Sequence, residues 1–218
     1  MTSVQRFANG IRTGLEADRQ RIVQASVTAL PWSRESIDIR NRAQAEMLED
    51  HVRRGERVLD VGCGSGYLSN CLQEMYAVEA TGLDIRDFRT KPIAFQSFDG
   101  TSIPFPDKSF DHVLLSFTLH HSHDPMTLIR ECHRVARRSI MAFEDLPQNR
   151  PGEMLVALHV DAYRLLYRTG TPRSAAYRAA LDWLGEQAVN VVRTPMPYEW
   201  IDRIYVPRFL LVHKLSEE

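Results

Sequence analysis

Asp60-Val61-Gly62-Cys63-Gly64-Ser65-Gly66 sets an acid and three alternate glycines directly behind the apolar pair Val58-Leu59. Glycine serves where the backbone must take a positive φ, or where a Cβ would block a ligand lying on the main chain. A strand that turns through such a loop into a helix presents amide N–H groups and a helix N-terminus to a small molecule. The segment therefore predicts a site for a nucleotide-like cofactor. Its spacing argues against a nicotinamide or flavin dinucleotide, because G-x-G-x-x-G would put its third glycine, or an alanine, at Tyr67. No lysine follows the glycines, so a phosphate-binding G-x-x-x-x-G-K-[ST] loop is absent as well.

Two acids stand at the ends of the next two predicted strands. Val78 to Asp84 reads as a second strand with Asp84 at its C-terminal end. An acid about 20 residues past a glycine loop suits bidentate acceptance from ribose hydroxyls. Ile93 to Gly100 reads as a third strand ending in Asp99, whose carboxylate could accept from the exocyclic amine of an adenine. Either acid alone reads as a solvated loop residue; the pair in register with the glycine loop reads as a site.

In this order the chain resembles the class I S-adenosylmethionine (SAM)-dependent methyltransferases. The resemblance rests on Asp60 to Gly66, Gly82-Leu83-Asp84, and Asp99-Gly100-Thr101-Ser102-Ile103-Pro104-Phe105-Pro106-Asp107-Lys108-Ser109-Phe110-Asp111. It is nearest to the small-molecule subgroup that includes the quinone-ring methyltransferases, and Val113 to His121 resembles that subgroup's fourth strand and following loop. The resemblance implies that SAM is the cofactor and that Asp60, Gly62, Cys63 and Gly64 belong to its binding loop. It gives Asp84 the ribose hydroxyls, Ile85 the underside of the adenine, Asp99 the adenine amine, Gly100 an amide donor to the ring, and Ser116 a place near the methionyl group. Two features depart from the family pattern. Val135-Ala136-Arg137-Arg138-Ser139 replaces a Pro-Gly-Gly turn before strand five, and the segment from Asp84 to Phe95 is short and broken by Pro92. The crossover helix there is expected to shrink to about a turn or two.

His120-His121-Ser122-His123-Asp124 could suggest a metal cluster, since imidazole and carboxylate bind Zn²⁺ or Fe²⁺ well. No other group has the spacing to complete one, so no metal is expected. His120 and His121 sit where the resembling subgroup has a paired histidine. His121 is the candidate general base or acceptor-orienting group, His120 a candidate substrate contact, and His123 a loop cap.

The elements that must hold these residues divide the chain into four parts of one domain. Residues 1–54 form a helical cap, with Val4, Phe7, Ile11 and Leu15 on one face, a break at Pro31 and a second helix from Ile39 to Val52. Residues 55–146 alternate strand and helix, the pattern of a parallel sheet covered on both faces. Asp124 and Pro125 predict the N-cap and first position of a helix whose C-terminal end suits Arg134, Arg137 and Arg138. Residues 147–185 form a helical substrate insertion, its second helix ended by Gly185. Its His159 and Tyr163 either pack on the sheet or wall the acceptor. Residues 186–218 supply two strands that fit an antiparallel edge hairpin. The expected fold is thus α/β, doubly wound, with a mostly parallel seven-stranded Rossmann-like methyltransferase sheet.

Composition agrees with an enzyme core: 218 residues, 44% hydrophobic, suffice for one packed domain. No apolar run approaches the ~20 residues of a membrane span, and no signal peptide is visible. Cys63, Cys71 and Cys132 lack C-x-x-C spacing and read as reduced thiols, so a cytoplasmic location is expected. A net charge of −1 offers no general attraction for nucleic acid. The expected activity is methyl transfer to a small-molecule acceptor. The rivals are an RNA or protein methyltransferase, a non-catalytic SAM-binding protein, and a protein that uses SAM for another reaction. The acceptor and the oligomeric state are not written in the sequence.

Overall fold

The central segments Val58–Val61 and Phe110–Leu115 are buried at every position, and a sheet buried on both faces needs a layer of helices on each side. The computed structural model, which describes residues 31–145, 150, 174–187, 190–193 and 208–215, has that arrangement. In chain order the elements are α1 (Pro31–Met47), β1 (Arg57–Val61), α2 (Tyr67–Tyr76), β2 (Glu79–Asp84), β3 (Ala94–Ser97) and β4 (Phe110–Ser116). A 3₁₀ turn (Leu119–His121), α3 (Pro125–Val135), β5 (Ala136–Asp145), α4 (Ser174–Gln187), β6 (Asn190–Arg193) and β7 (Arg208–Lys214) follow. By contacts the chain divides into Met1–Arg40 and Asn41–Glu218. Within the first unit, the described residues are the opening turns of α1.

The seven strands lie in the order β3-β2-β1-β4-β5-β7-β6. Strands β1 to β5 pair in parallel, and β7 runs antiparallel between β5 and β6. The expected edge pair is therefore present, with β6 outermost. Strand order reverses between β1 and β4, and the carboxyl ends flanking such a reversal form the crevice where open α/β sheets bind ligands.

Alternation along the strands separates two cores. Leu59, Val61, Val113, Leu115 and Ile140 face Leu128, Ile129 and Val135 of α3 and Tyr177, Ala180 and Leu184 of α4. Val58, Ala80, Leu114, Met141 and Val212 face Ala45 of α1, Leu48, and Leu68 and Leu72 of α2. Asp60 and Ser116 fall on the second face by the two-residue period of a strand.

Several boundaries differ from expectation. Helix α1 starts at Pro31 rather than Ile39, because proline is tolerated in a first turn, where its missing N–H costs nothing. No helical turn forms among residues 85–93; the crossover is irregular throughout. Gly185 lies inside α4 instead of ending it. Helix α3 has the expected cap, with Asp124 accepting from the Thr127 N–H at 3.0 Å, but it ends at Val135. Arg137 and Arg138 thus belong to β5 and not to a helix terminus. Residues 1–30, 151–173 and 194–207, and with them the N-terminal stripe and the first helix of the insertion, lie outside the described residues.

Candidate active site

The carboxyl ends of β1, β2 and β4 and the loops that leave them build one site. After β1 the chain turns through Gly62, Gly64 and Gly66, all at positive φ. At Gly62 (φ 74) a Cβ would come within 2.5 Å of the Thr118 side chain, so the loop after β4 lies directly on this residue. At Gly64 (φ 50) a Cβ would meet nothing within 4 Å. Packing explains the first glycine; the open space at the second is a cradle that a ligand can use.

Asp84 joins this loop to β2. Its Oδ2 accepts from the Gly64 N–H at 2.9 Å and its Oδ1 from the Ile85 N–H at 2.7 Å. Each carboxylate oxygen has two acceptor sites, so both retain capacity for a hydroxyl pair. Burial raises the Asp84 pKa above the ordinary carboxylate value, and the Gly64 and Ile85 amides oppose that shift.

Asp60 is almost fully enclosed, and burial raises its pKa to about 6, helped by the nearby charge of Asp84. The Ser69 hydroxyl donates to Oδ2 at 2.6 Å, while Oδ1 has no partner among the described residues. A buried acceptor in that state suits a cationic or N–H-bearing ligand group. Cys63 turns its side chain toward β2, where a Cβ on Gly82 would come 2.6 Å from Sγ. Burial pushes its thiol up, so it is poorly suited to act as a nucleophile.

On the far side of β2, Ile85 is the exposed large hydrophobic of the described residues, and a Cβ on Gly100 would lie 3.4 Å from its Cγ2. An apolar side chain facing a bare glycine backbone makes a slot suited to a flat ring. Asp99 lies two residues beyond the end of β3, not within it as expected. Its Oδ1 accepts from the Thr101 N–H, the Thr101 hydroxyl and the Ser102 N–H, each at 2.8 Å, and these bonds lower its pKa. Oδ2 takes none of them. Arg134 fastens the loop that follows, donating to the Phe105 and Ile103 carbonyls.

Strand β4 delivers Ser116 to the same rim, where its hydroxyl accepts from Gln44 Nε2 at 3.1 Å. Gln44 is buried, and its Oε1 has no partner among the described residues. Phe117 then takes a φ of 55, a left-handed conformation that costs a bulky residue roughly 1–2 kcal/mol. Such strain persists only where neighbours hold it. Glu144, at the end of β5, does so: Oε1 accepts from the Thr118 and Leu119 amides at 3.0 and 2.8 Å. Its Oε2 lies 3.0 Å from His120 Nδ1 and accepts from the Tyr177 hydroxyl at 3.1 Å. His120 is therefore a buried, anchored ring, while His121 packs against it at 4.1 Å between centroids and is half-buried. Exposed His123 immediately precedes the Asp124 cap. No group of three or more His, Cys, Asp or Glu among the described residues is placed to hold a metal ion.

Asp60, Gly62, Gly64, Asp84, Ser116 and the histidine turn thus come together at the strand reversal, with Ile85, Asp99 and Gly100 along the β2 side. His159 and Tyr163 lie outside the described residues. Gln44 and Glu144 are the residues that sequence reasoning missed. Gln44 carries no local signal, and the acid at the end of strand five was legible only as a strand terminus.

Residues 59–139 match the family model described as "Methyltransferase domain", and residues 16–90 match that of protein-L-isoaspartate(D-aspartate) O-methyltransferase. The chain is 31% identical over 99 residues to 27-O-demethylrifamycin SV methyltransferase of Amycolatopsis mediterranei, covering 39% of this chain and 36% of that protein. It is 34% identical over 104 residues to demethylmenaquinone methyltransferase of Thermotoga maritima, covering 43% and 45%. A tRNA U34 carboxymethyltransferase of Nautilia profundicola is 31% identical over 97 residues, covering 39% and 32%. The chain spans under half the length of these relatives. A solved geranyl diphosphate methyltransferase in complex with SAM superposes with a TM-score of 0.60 at 14% identity, covering 80% of this chain and 85% of that one. Family match and fold point the same way: residues 59–139 match the methyltransferase-domain model, the chain shares the fold of the solved methyltransferase, and the residues of the site fit SAM as cofactor.

Proposed function

We propose that the protein transfers a methyl group from SAM to a small-molecule acceptor, releasing S-adenosylhomocysteine. The observation that carries this reading is the Asp84 carboxylate bonded to the Gly64 amide beside an open glycine cradle. In this reading Asp84 accepts from the ribose hydroxyls, Ile85 and Gly100 hold the adenine between them, and Asp99 Oδ2 takes its amine. Asp60 Oδ1 and Ser116 serve the methionine end, where the buried carboxylate suits an ammonium.

When bound, SAM supplies a methyl carbon activated by its sulfonium, so the protein's own task is alignment and water exclusion. Positioning of that kind can contribute ~7–11 kcal/mol. His121 sits on the turn after β4 and acts as the base where the acceptor carries a hydroxyl or a protonated amine. Imidazole has an ordinary pKa near 6.5, suited to that work at neutral pH. His120 orients the acceptor from the anchored side of the same turn. His159 and Tyr163 are assigned to the acceptor wall within a closing insertion.

The chain's near-zero net charge supports a small acceptor over nucleic acid. Among the described residues no helix is long and apolar enough to cross a membrane. None of the three cysteines is in a disulfide, which supports a cytoplasmic setting. The match of residues 16–90 to a protein-directed methyltransferase model favours a second reading, with a protein acceptor. A radiolabelled-methyl screen against metabolite, RNA and protein fractions separates them. Label in an organic-soluble product supports the first reading, and label in protein or RNA replaces it.

A further inference from the structure

Glu144 is fully sealed from solvent at the end of β5, and the methyl-transfer reading gives it no work. Four donors converge on its two oxygens: the Thr118 and Leu119 amides, the Tyr177 hydroxyl and the His120 ring. A carboxylate surrounded only by donors is an acceptor throughout, so His120 must present an N–H at Nδ1, which in the neutral ring leaves the lone pair at Nε2. The same carboxylate fixes the two amides that follow Phe117, the residue held in the left-handed region. Thr118 continues the chain of contact. Its hydroxyl donates to the Val61 carbonyl at 2.9 Å, and its side chain occupies the space where a Cβ of residue 62 would stand. One buried acid therefore touches both the histidine turn and, through one residue, the glycine loop.

We propose that Glu144 is a positioning residue that couples the two halves of the site. It sets the tautomer of His120 toward the acceptor and presses the Phe117–Leu119 turn onto the cofactor loop. The proposal rests on the methyltransferase reading for what the site binds, but its geometry does not. The carboxylate matters here for its four acceptor sites, because an amide in its place offers one acceptor atom and turns a donor pair toward the donors already present.

The test uses the full-length chain. Long-range ¹⁵N NMR reads the His120 ring, amide hydrogen exchange reads Gly62, and calorimetry reads S-adenosylhomocysteine affinity. Native protein is expected to hold the proton on His120 Nδ1. In Glu144→Gln that tautomer is lost, Gly62 exchange quickens, and affinity falls about tenfold, the cost of losing hydrogen bonds to a charged group. Thr118→Val, which keeps the volume and drops the hydroxyl, should weaken affinity while leaving the His120 tautomer intact. A His120 ring that carries no proton on Nδ1 in the native protein overturns the proposal. So does a Glu144→Gln variant that binds as native, or one whose Gly62 exchange is unchanged. If native protein binds no S-adenosylhomocysteine, the methyltransferase reading fails, and the tautomer and exchange measurements still judge Glu144. If Glu144→Gln does not fold, native affinity in Thr118→Val overturns the coupling.

Discussion

Thr118 occupies the volume that a side chain on Gly62 would need, with its Cγ2 and Oγ1 each 2.5 Å from the position of that missing Cβ. Gly64, two residues on, has no such neighbour. Alanine at either position pays for a positive φ, roughly 1–2 kcal/mol. Gly62→Ala adds a clash with β-branched Thr118, so it should lower stability clearly more than Gly64→Ala. Urea denaturation of the two variants checks the order. Both should lose S-adenosylhomocysteine binding, Gly64→Ala because its methyl group enters the cradle.

Asp60 makes stability depend on pH in a definite direction. Its carboxyl titrates near 6 in the folded chain, against an ordinary 3.8. The unfolded chain therefore gives up the proton first as pH rises. Asp60 favours folding below pH 4, and that contribution is lost as pH rises to 6, about 3 kcal/mol in all for a shift of this size. Asp60→Asn should flatten this segment of the stability curve. An ammonium paired with the carboxylate needs the charged form, so S-adenosylhomocysteine affinity should fall as pH drops below 6 in the native protein alone.

Asp84→Ala removes the acceptor for two loop amides and, in the proposed reading, for the ribose. Hydrogen bonds to a charged group are worth about 1.5–3 kcal/mol each. Calorimetry should show at least a tenfold loss of S-adenosylhomocysteine affinity. Asp99→Ala should cost less, because Oδ1 is already engaged within its own loop.

A second polar cluster lies at the opposite end of the strands. His112 stands 2.9 Å from Glu56 Oε2 and 2.8 Å from Ser139 Oγ, and Arg138 pairs with the other Glu56 oxygen. Glu56 also accepts from the Arg53 N–H at 2.6 Å. Removing one partner from a buried cluster strands the others, at a cost of about 3 kcal/mol. Glu56→Ala should lower the melting temperature and leave S-adenosylhomocysteine affinity within about twofold, which separates stability from binding.

His121→Ala distinguishes base chemistry from positioning. A base role predicts a fall in kcat of ~10²–10⁴-fold at saturating acceptor. Unchanged kcat would remove His121 from the chemistry and leave His120 as the histidine of interest.

Much of this site was legible because it is local. Asp60 to Gly66 and Asp84 are set by strand–turn–helix chemistry over a few residues, and the Asp124 cap follows from its own tetrapeptide. The fold followed from alternation of apolar runs with helical spacing. What escaped depends on contacts distant in sequence. Glu144 and Thr118 are 26 residues apart, and Gln44 meets Ser116 across 72. Nothing near Gly62 indicates that Thr118 sets its identity. Helix ends were misjudged where tertiary packing outweighed a local signal, as at Gly185 in α4, whose Tyr177, Ala180 and Leu184 join the core.

The central claim is that the β1–β2 rim seats SAM for transfer of its methyl group. Purified native protein incubated with methyl-labelled SAM and a metabolite extract tests it directly, with Asp84→Ala alongside. The account predicts label in an organic-soluble product from the native protein, S-adenosylhomocysteine in equal amount, and neither from the variant. Equal labelling by native protein and Asp84→Ala, or no labelled product and no binding of SAM by the native protein, would contradict it.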